Sequence, residues 1–136
     1  MPADLRQTLN DLALFSSLTK PERDEMHSRL TTHTYQAGAT IYRAGDESND
    51  AYIVLDGAVR IVAGNDHAPV EVAEAGMLFG YASVLTHARR ATTAVAEKRT
   101  RLIRVPAADV DMLVERISSA HIRSAHSDAG RMAADA

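Results

Sequence analysis

The stretch GMLFGYASVLTHARRATTAV, residues 76–95, decides how the chain is read. Phe79 to Leu85 shows no polar–apolar alternation, yet it lies between strand-like runs ending near Ala73 and beginning near Ala91. A short helix starting just after Gly80 fits best. Such a segment can be a crossover helix in a small core, with a charged edge. It can equally be an anion pocket. The first N–H groups of a helix have no partner within it and carry partial positive charge, so they attract anions. Arg90, nine residues after the helix begins, returns to the same place with a fork of donors suited to phosphate. Ala91 and Thr92 are small enough to let backbone and ligand approach.

Working outward, residues from Thr32 to about Val105 follow a period of two. Ile41, Tyr52-Ile53-Val54-Leu55, Val59 and Ile61, and Val70 and Val72 sit in short runs broken by glycine. Glycines at 38, 45, 57, 64 and 76 are spaced seven, twelve, seven and twelve apart. That rhythm suits strands of about 5–6 residues joined by tight turns. Short strands at this spacing imply an antiparallel sandwich or barrel.

Helical periodicity flanks this middle. Leu5, Leu9 and Leu12 mark one face of a helix over residues 4–18, with Phe15 and Leu18 at its end. Thr19-Lys20-Pro21-Glu22 predicts a second helix: Thr19 as N-cap, Pro21 in the first turn and Glu22 closing a capping box. Met26 and Leu30 are its expected buried side. After Pro106, Val110, Leu113, Val114 and Ile117 form another stripe, with Asp109 and Asp111 in the first turn, where the helix dipole favours them. Beyond Ser118 a weak second helix, interrupted by Gly130, is expected to fray.

Composition excludes several classes of function. With 136 residues, 46% hydrophobic and 24% charged, the chain reads as one globular domain. It contains no cysteine, which rules out disulfides, thiolate metal sites and cysteine nucleophiles. A net charge of -3 argues against non-specific nucleic-acid binding, and no basic helix-turn-helix follows Ile117. No run approaches the ~20 apolar residues of a membrane span, and the N-terminus lacks a signal-peptide core. A cytoplasmic location is the expectation. His121 and His126 lie five apart, ~140° around a helix, and cannot share a metal face. His33, His67 and His87 are isolated. Asp46, Glu47 and Asp50 read as a solvated turn. No nucleophile, metal or Gly-rich phosphate motif occurs, so no enzyme is expected.

FGYASVLTHARRATTAV resembles the phosphate-binding cassette of cyclic-nucleotide-binding domains, as in catabolite-activator-type regulators and the regulatory subunit of cyclic-AMP-dependent kinase. The family pattern is F-G-E-[LIV]-A-L followed by P-R-[AS]-A. The likeness runs from about Leu14 to Ile117 and takes in LFSSL, YQAGATIYRAGDESNDAYIVLDGAVRIV and the glycine rhythm. FGYASVLT also resembles a bacterial branch in which this domain precedes CBS and nucleotidyltransferase-like modules. The resemblance implies a mainly β fold with flanking helices. It would be an antiparallel β-roll (a double-stranded β-helix, jelly-roll-like) over 32–105, with the cassette at 79–92. N-terminal helices over 1–31 and a C-terminal helix pair over 106–136 complete one domain.

By position, the resemblance assigns Gly80 and the N–H groups of Ala82 and Ser83 to the phosphate cradle, Arg90 to the phosphate-pairing arginine, and Ala91 and Thr92 to the residues completing it. Two departures matter. Tyr81 stands where the family has a ribose-binding glutamate, and Arg89 replaces a proline, so the phosphate contact can belong to either arginine. A hydrogen bond to a charged group contributes ~1.5–3 kcal/mol, so Tyr81 predicts weak cyclic AMP binding and a gain in the variant Tyr81→Glu. The implied function is a regulatory sensor of cyclic AMP, cyclic GMP or a related nucleotide that shifts its C-terminal helix on binding. No cofactor is required. The alternative is a degenerate domain without ligand, acting as a protein-interaction or dimerisation module. Expected partners are the nucleotide and other signalling domains or proteins, with no membrane and no nucleic acid. A homodimer is compatible with this reading, but residues 118–136, with only Ile122 and Met132 as large apolar side chains, do not hold one alone.

Overall fold

The computed structural model describes Phe15 and residues 18–63 and 69–122. The expected helix over 4–18 therefore lies outside the described residues except for Phe15 and Leu18, both buried. Gly64, His67 and the second C-terminal helix fall outside them as well. The first described helix, α1 (Lys20–His27), starts as its sequence dictates. Thr19 Oγ1 accepts the Glu22 N–H at 3.3 Å, and Glu22 Oε1 accepts the Thr19 N–H at 2.8 Å. Met26 is buried on α1, whereas Leu30 lies beyond the end of the helix and is buried there.

Eight strands follow: β1 (Thr31–Tyr35), β2 (Thr40–Tyr42), β3 (Asp50–Asp56), β4 (Ala58–Ala63), β5 (Pro69–Glu74), β6 (Leu78–Phe79), β7 (Thr92–Ala96) and β8 (Thr100–Pro106). They form two four-stranded antiparallel sheets, ordered β1-β8-β3-β6 and β2-β7-β4-β5. The five-residue helix α2 (Tyr81–Leu85) interrupts them after β6, and α3 (Ala107–Ile122) follows β8 directly. This is the expected mainly β roll with flanking helices. Gly57 shows why the turn rhythm needs glycine. Its φ is +101°, and a Cβ there would lie 2.4 Å from Thr100 Oγ1.

Strand β3 is buried on both faces, which explains the unbroken run Tyr52-Ile53-Val54-Leu55. Ala51, Ile53 and Leu55 join Leu78, Ile103 and Val105 in a core shared with the helices, through Phe15, Leu18, Met26, Tyr81, Val84, Val110 and Leu113. Tyr52, Val54, Phe79 and Leu102 turn the other way. They meet Tyr42, Val59, Ile61, Ala73 and Ala94 between the two sheets. Asp109 stands in the first turn of α3 as expected, and it is also buried and ion-paired with Arg29.

Candidate functional site

The sharp turn after β6 is made by Gly80, which caps α2 with φ +76° and no side-chain capping bond. Its missing side chain also leaves room. A Cβ on Gly80 would stand 2.9 Å from Arg90 Nη1 and 3.2 Å from Tyr42 Cε2. The loop from Arg43 to Asn49 is laced to the end of the cassette. The Gly45 N–H donates to Arg90 O at 2.8 Å, the Arg90 N–H to Asp46 O at 2.8 Å, and Ser48 Oγ to Ala88 O at 2.6 Å. Asp46 also accepts the Arg43 N–H at 2.9 Å. Asp46 and Glu47 are exposed in this turn, as the sequence suggested, whereas Asp50 is half-buried at the start of β3.

Arg90 is the centre of the site, and only 5% of it is exposed. Its Nη1 donates to Gly80 O at 2.5 Å and to Ser83 Oγ at 3.2 Å, and its Nη2 donates to Asp50 O at 2.5 Å. The guanidinium carbon sits 4.0 Å from the centroid of the Tyr42 ring. All these acceptors are neutral. Among the described residues no carboxylate is ion-paired with Arg90, and the Asp50 carboxylate lies 3.7 Å from Arg104 Nε instead. Arg90 Nε is a buried donor with no hydrogen-bond partner among the described residues. Buried cations are ordinarily paired, because an unpaired charge in a low-dielectric interior is costly. Tyr42, Tyr52 and Phe79 line the intersheet side, with Tyr52 and Phe79 stacked at 5.5 Å. Burial, then the neighbouring Tyr35, push the Tyr52 phenol above its ordinary pKa.

The structure brings together Gly80, Ser83 and Arg90 and separates the other residues singled out by sequence. The ring of Tyr81, 5% exposed, packs into the helix-side core with Val84, Val110 and Leu113. Ala82 is half-buried against the same core, and its carbonyl accepts from Thr86 Oγ1 at 3.0 Å. Arg89 is exposed and donates to Gly45 O at 3.0 Å. It belongs to a separate polar cleft of about 330 Å³ lined also by Glu47, Ser48, Asn49, His87 and Ala88. Ala91 is exposed, and Thr92 is buried at the start of β7. Sequence reasoning missed Tyr42 and the Asp50 carbonyl. A lone tyrosine in a strand carries no signal that it lies beneath an arginine 48 positions later. Among the described residues no group of three or more His, Cys, Asp or Glu could hold a metal, and no helix is long and apolar enough to cross a membrane.

A family model for the cyclic nucleotide-binding domain matches residues 32–117. Among curated proteins, the chain is 36% identical over 94 residues to patatin-like phospholipase domain-containing protein 7 of Rattus norvegicus, covering 67% of this chain and 7% of that protein. It is 32% identical over 94 residues to the cAMP-dependent protein kinase regulatory subunit of Schizosaccharomyces pombe, covering 69% of this chain and 23% of that one. The chain thus spans less than a quarter of the length of either. Among solved structures, the regulatory subunit of a cAMP-independent protein kinase A from Trypanosoma brucei superposes with a TM-score of 0.75 at 23% identity, covering 86% of this chain and 43% of that chain. That last likeness speaks for the fold. With the family match over the whole roll and the cassette, the chain belongs to the cyclic nucleotide-binding domain family.

Proposed function

We propose that this domain is a regulatory sensor of a phosphate-bearing nucleotide, with Arg90 as its anion anchor. One observation carries the reading: a guanidinium nine-tenths buried, without a carboxylate partner and with an unpartnered Nε. A phosphate completes such a site, because a charge-assisted bond satisfies the donor and neutralises the buried charge together. Gly80, without a side chain, lets the guanidinium approach this turn closely, and Ser83 contributes a hydroxyl. The ligand class is a cyclic nucleotide, cyclic AMP or cyclic GMP or a relative, in line with the name of the kinase subunit from Schizosaccharomyces pombe. A singly charged cyclic phosphodiester matches one cation, whereas a doubly charged phosphomonoester leaves net negative charge in the interior. Tyr81 and Val84 on α2 share a core with Val110 and Leu113 on α3, so a shift of the cassette is passed to the C-terminal helix.

A second reading is favoured by one feature of the same site. Arg90 already bonds the carbonyls of Gly80 and Asp50, and the Tyr42 ring, packed against Tyr52 and Phe79, covers one face of its guanidinium. A domain satisfied in this way can act without ligand, as an interaction or dimerisation module. Isothermal titration with cyclic AMP, cyclic GMP, their linear monophosphates and cyclic dinucleotides separates the two. The sensor reading expects a cyclic nucleotide to bind and Arg90→Ala to weaken it at least tenfold, the ~1.4 kcal/mol of one charge-assisted contact, while Arg89→Ala does not. Saturable binding by none of the panel overturns it.

A further inference from the structure

We infer that Tyr42 is the positioning residue of this site: its ring is the plate against which Arg90 is held for an incoming anion. This rests on the anion-anchor reading above and names the residue that sets its strength. The guanidinium carbon lies 4.0 Å from the ring centroid, well within the range in which the negative face of an aromatic ring attracts a cation. The plate is itself immobilised. Tyr42 is 6% exposed and packs against Tyr52 at 6.2 Å and Phe79 at 6.3 Å between centroids. Gly80 closes the arrangement, since a Cβ there would crowd both the Arg90 Nη1 and the Tyr42 ring.

The division of labour follows from guanidinium geometry. Its donors lie in one plane and its faces carry none. Carbonyls of Gly80 and Asp50 and the Ser83 hydroxyl hold Nη1 and Nη2 in that plane. Tyr42 holds the face. Nε is left without a partner among the described residues. An aliphatic residue at 42 would fill the same space without attracting the cation, and the side chain would lose its fixed tilt.

Nitrogen-15 spectra of the arginine Nε–H groups, recorded with and without cyclic AMP and cyclic GMP, test this on the full chain. The wild-type Arg90 peak should be displaced by the Tyr42 ring current and slow to exchange with water. Tyr42→Phe should keep both properties. Tyr42→Leu should lose the displacement and weaken whichever nucleotide binds by about tenfold, the scale of a desolvated cation–π contact. A wild-type peak without ring-current displacement overturns the inference even where the leucine variant does not fold. If the nucleotides bind wild type and Tyr42→Leu alike, with the peak unmoved, Tyr42 loses its role and the anchor reading stands. If no nucleotide of the titration panel binds wild type, the anchor reading falls and takes the role of Tyr42 with it.

Discussion

Arg29, two residues past the end of α1, closes a two-pronged ion pair on Asp109 in the first turn of α3. Nη2 lies 2.5 Å from Oδ1 and Nε 2.9 Å from Oδ2. The partners are unequal. The Asp109 side chain is 2% exposed, whereas that of Arg29 is 39% exposed and also touches Glu25 at 3.4 Å. The pair fastens the helix entering the roll to the helix leaving it.

That inequality predicts an order of effects. Arg29→Ala leaves a carboxylate buried without its cation, the costly way to break such a pair. Asp109→Ala leaves a guanidinium free to swing into water toward Glu25. The arginine variant should therefore lose more stability, and the double variant should be less destabilised than Arg29→Ala alone. Urea midpoints for the three variants decide it. Equal losses, or a double variant worse than both, would show that the pair is not the asymmetric lock described.

Gly57 and Gly80 predict a contrast between stability and binding. At Gly57 a Cβ would lie 2.7 Å from both Arg99 O and Thr100 Cα. It would also displace Thr100 Oγ1, which donates within reach of Ala58 O at 3.1 Å and Lys98 O at 2.8 Å. Positive φ and a broken buried hydrogen bond together make Gly57→Ala cost about 3 kcal/mol or more, with ligand affinity unchanged in the folded fraction. At Gly80 the neighbours are side chains that can yield. Gly80→Ala should cost about 1–3 kcal/mol for its φ of +76°, but should push Arg90 off Tyr42 and abolish binding. Thermal melts with parallel titrations separate the two. Retained affinity in Gly80→Ala would remove that residue from the site.

The parts of this fold legible in the sequence are those set by near neighbours. The capping box of α1, the turns at Gly38, Gly45, Gly57 and Gly76 and the short helix after Gly80 each depend on residues a few positions apart, and each stands where the sequence places it. β6 was not foreseen, because two residues show no periodicity. The α3 stripe identified Val110 and Leu113, but the buried role of Asp109 depends on Arg29, 80 positions earlier. The site divides in the same way. Gly80, Ser83 and Arg90 fall within one local motif. Tyr42 reaches them because β2 pairs with β7, the strand that begins just after Arg90. The direction of a side chain on a one-turn helix is set by what packs on that helix, and here Tyr81 departs most from its sequence position.

Tyr81 carries the sharpest test. Position within the cassette led to the expectation that Tyr81→Glu would restore a ribose contact and improve affinity. In the structure the ring lies among Leu18, Val84, Val110 and Leu113, on the helix side of the sheet, while Arg90 and Tyr42 lie toward the intersheet side. A glutamate at 81 following the tyrosine's path would put a carboxylate into an apolar cluster. Such a group either stays charged at a cost of several kcal/mol or takes up a proton. The same side chain can escape only by turning α2 away from α3. Tyr81→Glu is therefore expected to destabilise the domain by about 2 kcal/mol or more. The loss should be largest near neutral pH and should shrink as acid protonates the buried carboxyl, whose folded pKa lies above its unfolded one. Nucleotide affinity should fail to improve. Denaturation midpoints of wild type and Tyr81→Glu between acid and neutral pH, with titration against cyclic AMP, give the answer. A variant as stable as wild type that binds cyclic AMP more tightly would mean that residue 81 faces the ligand.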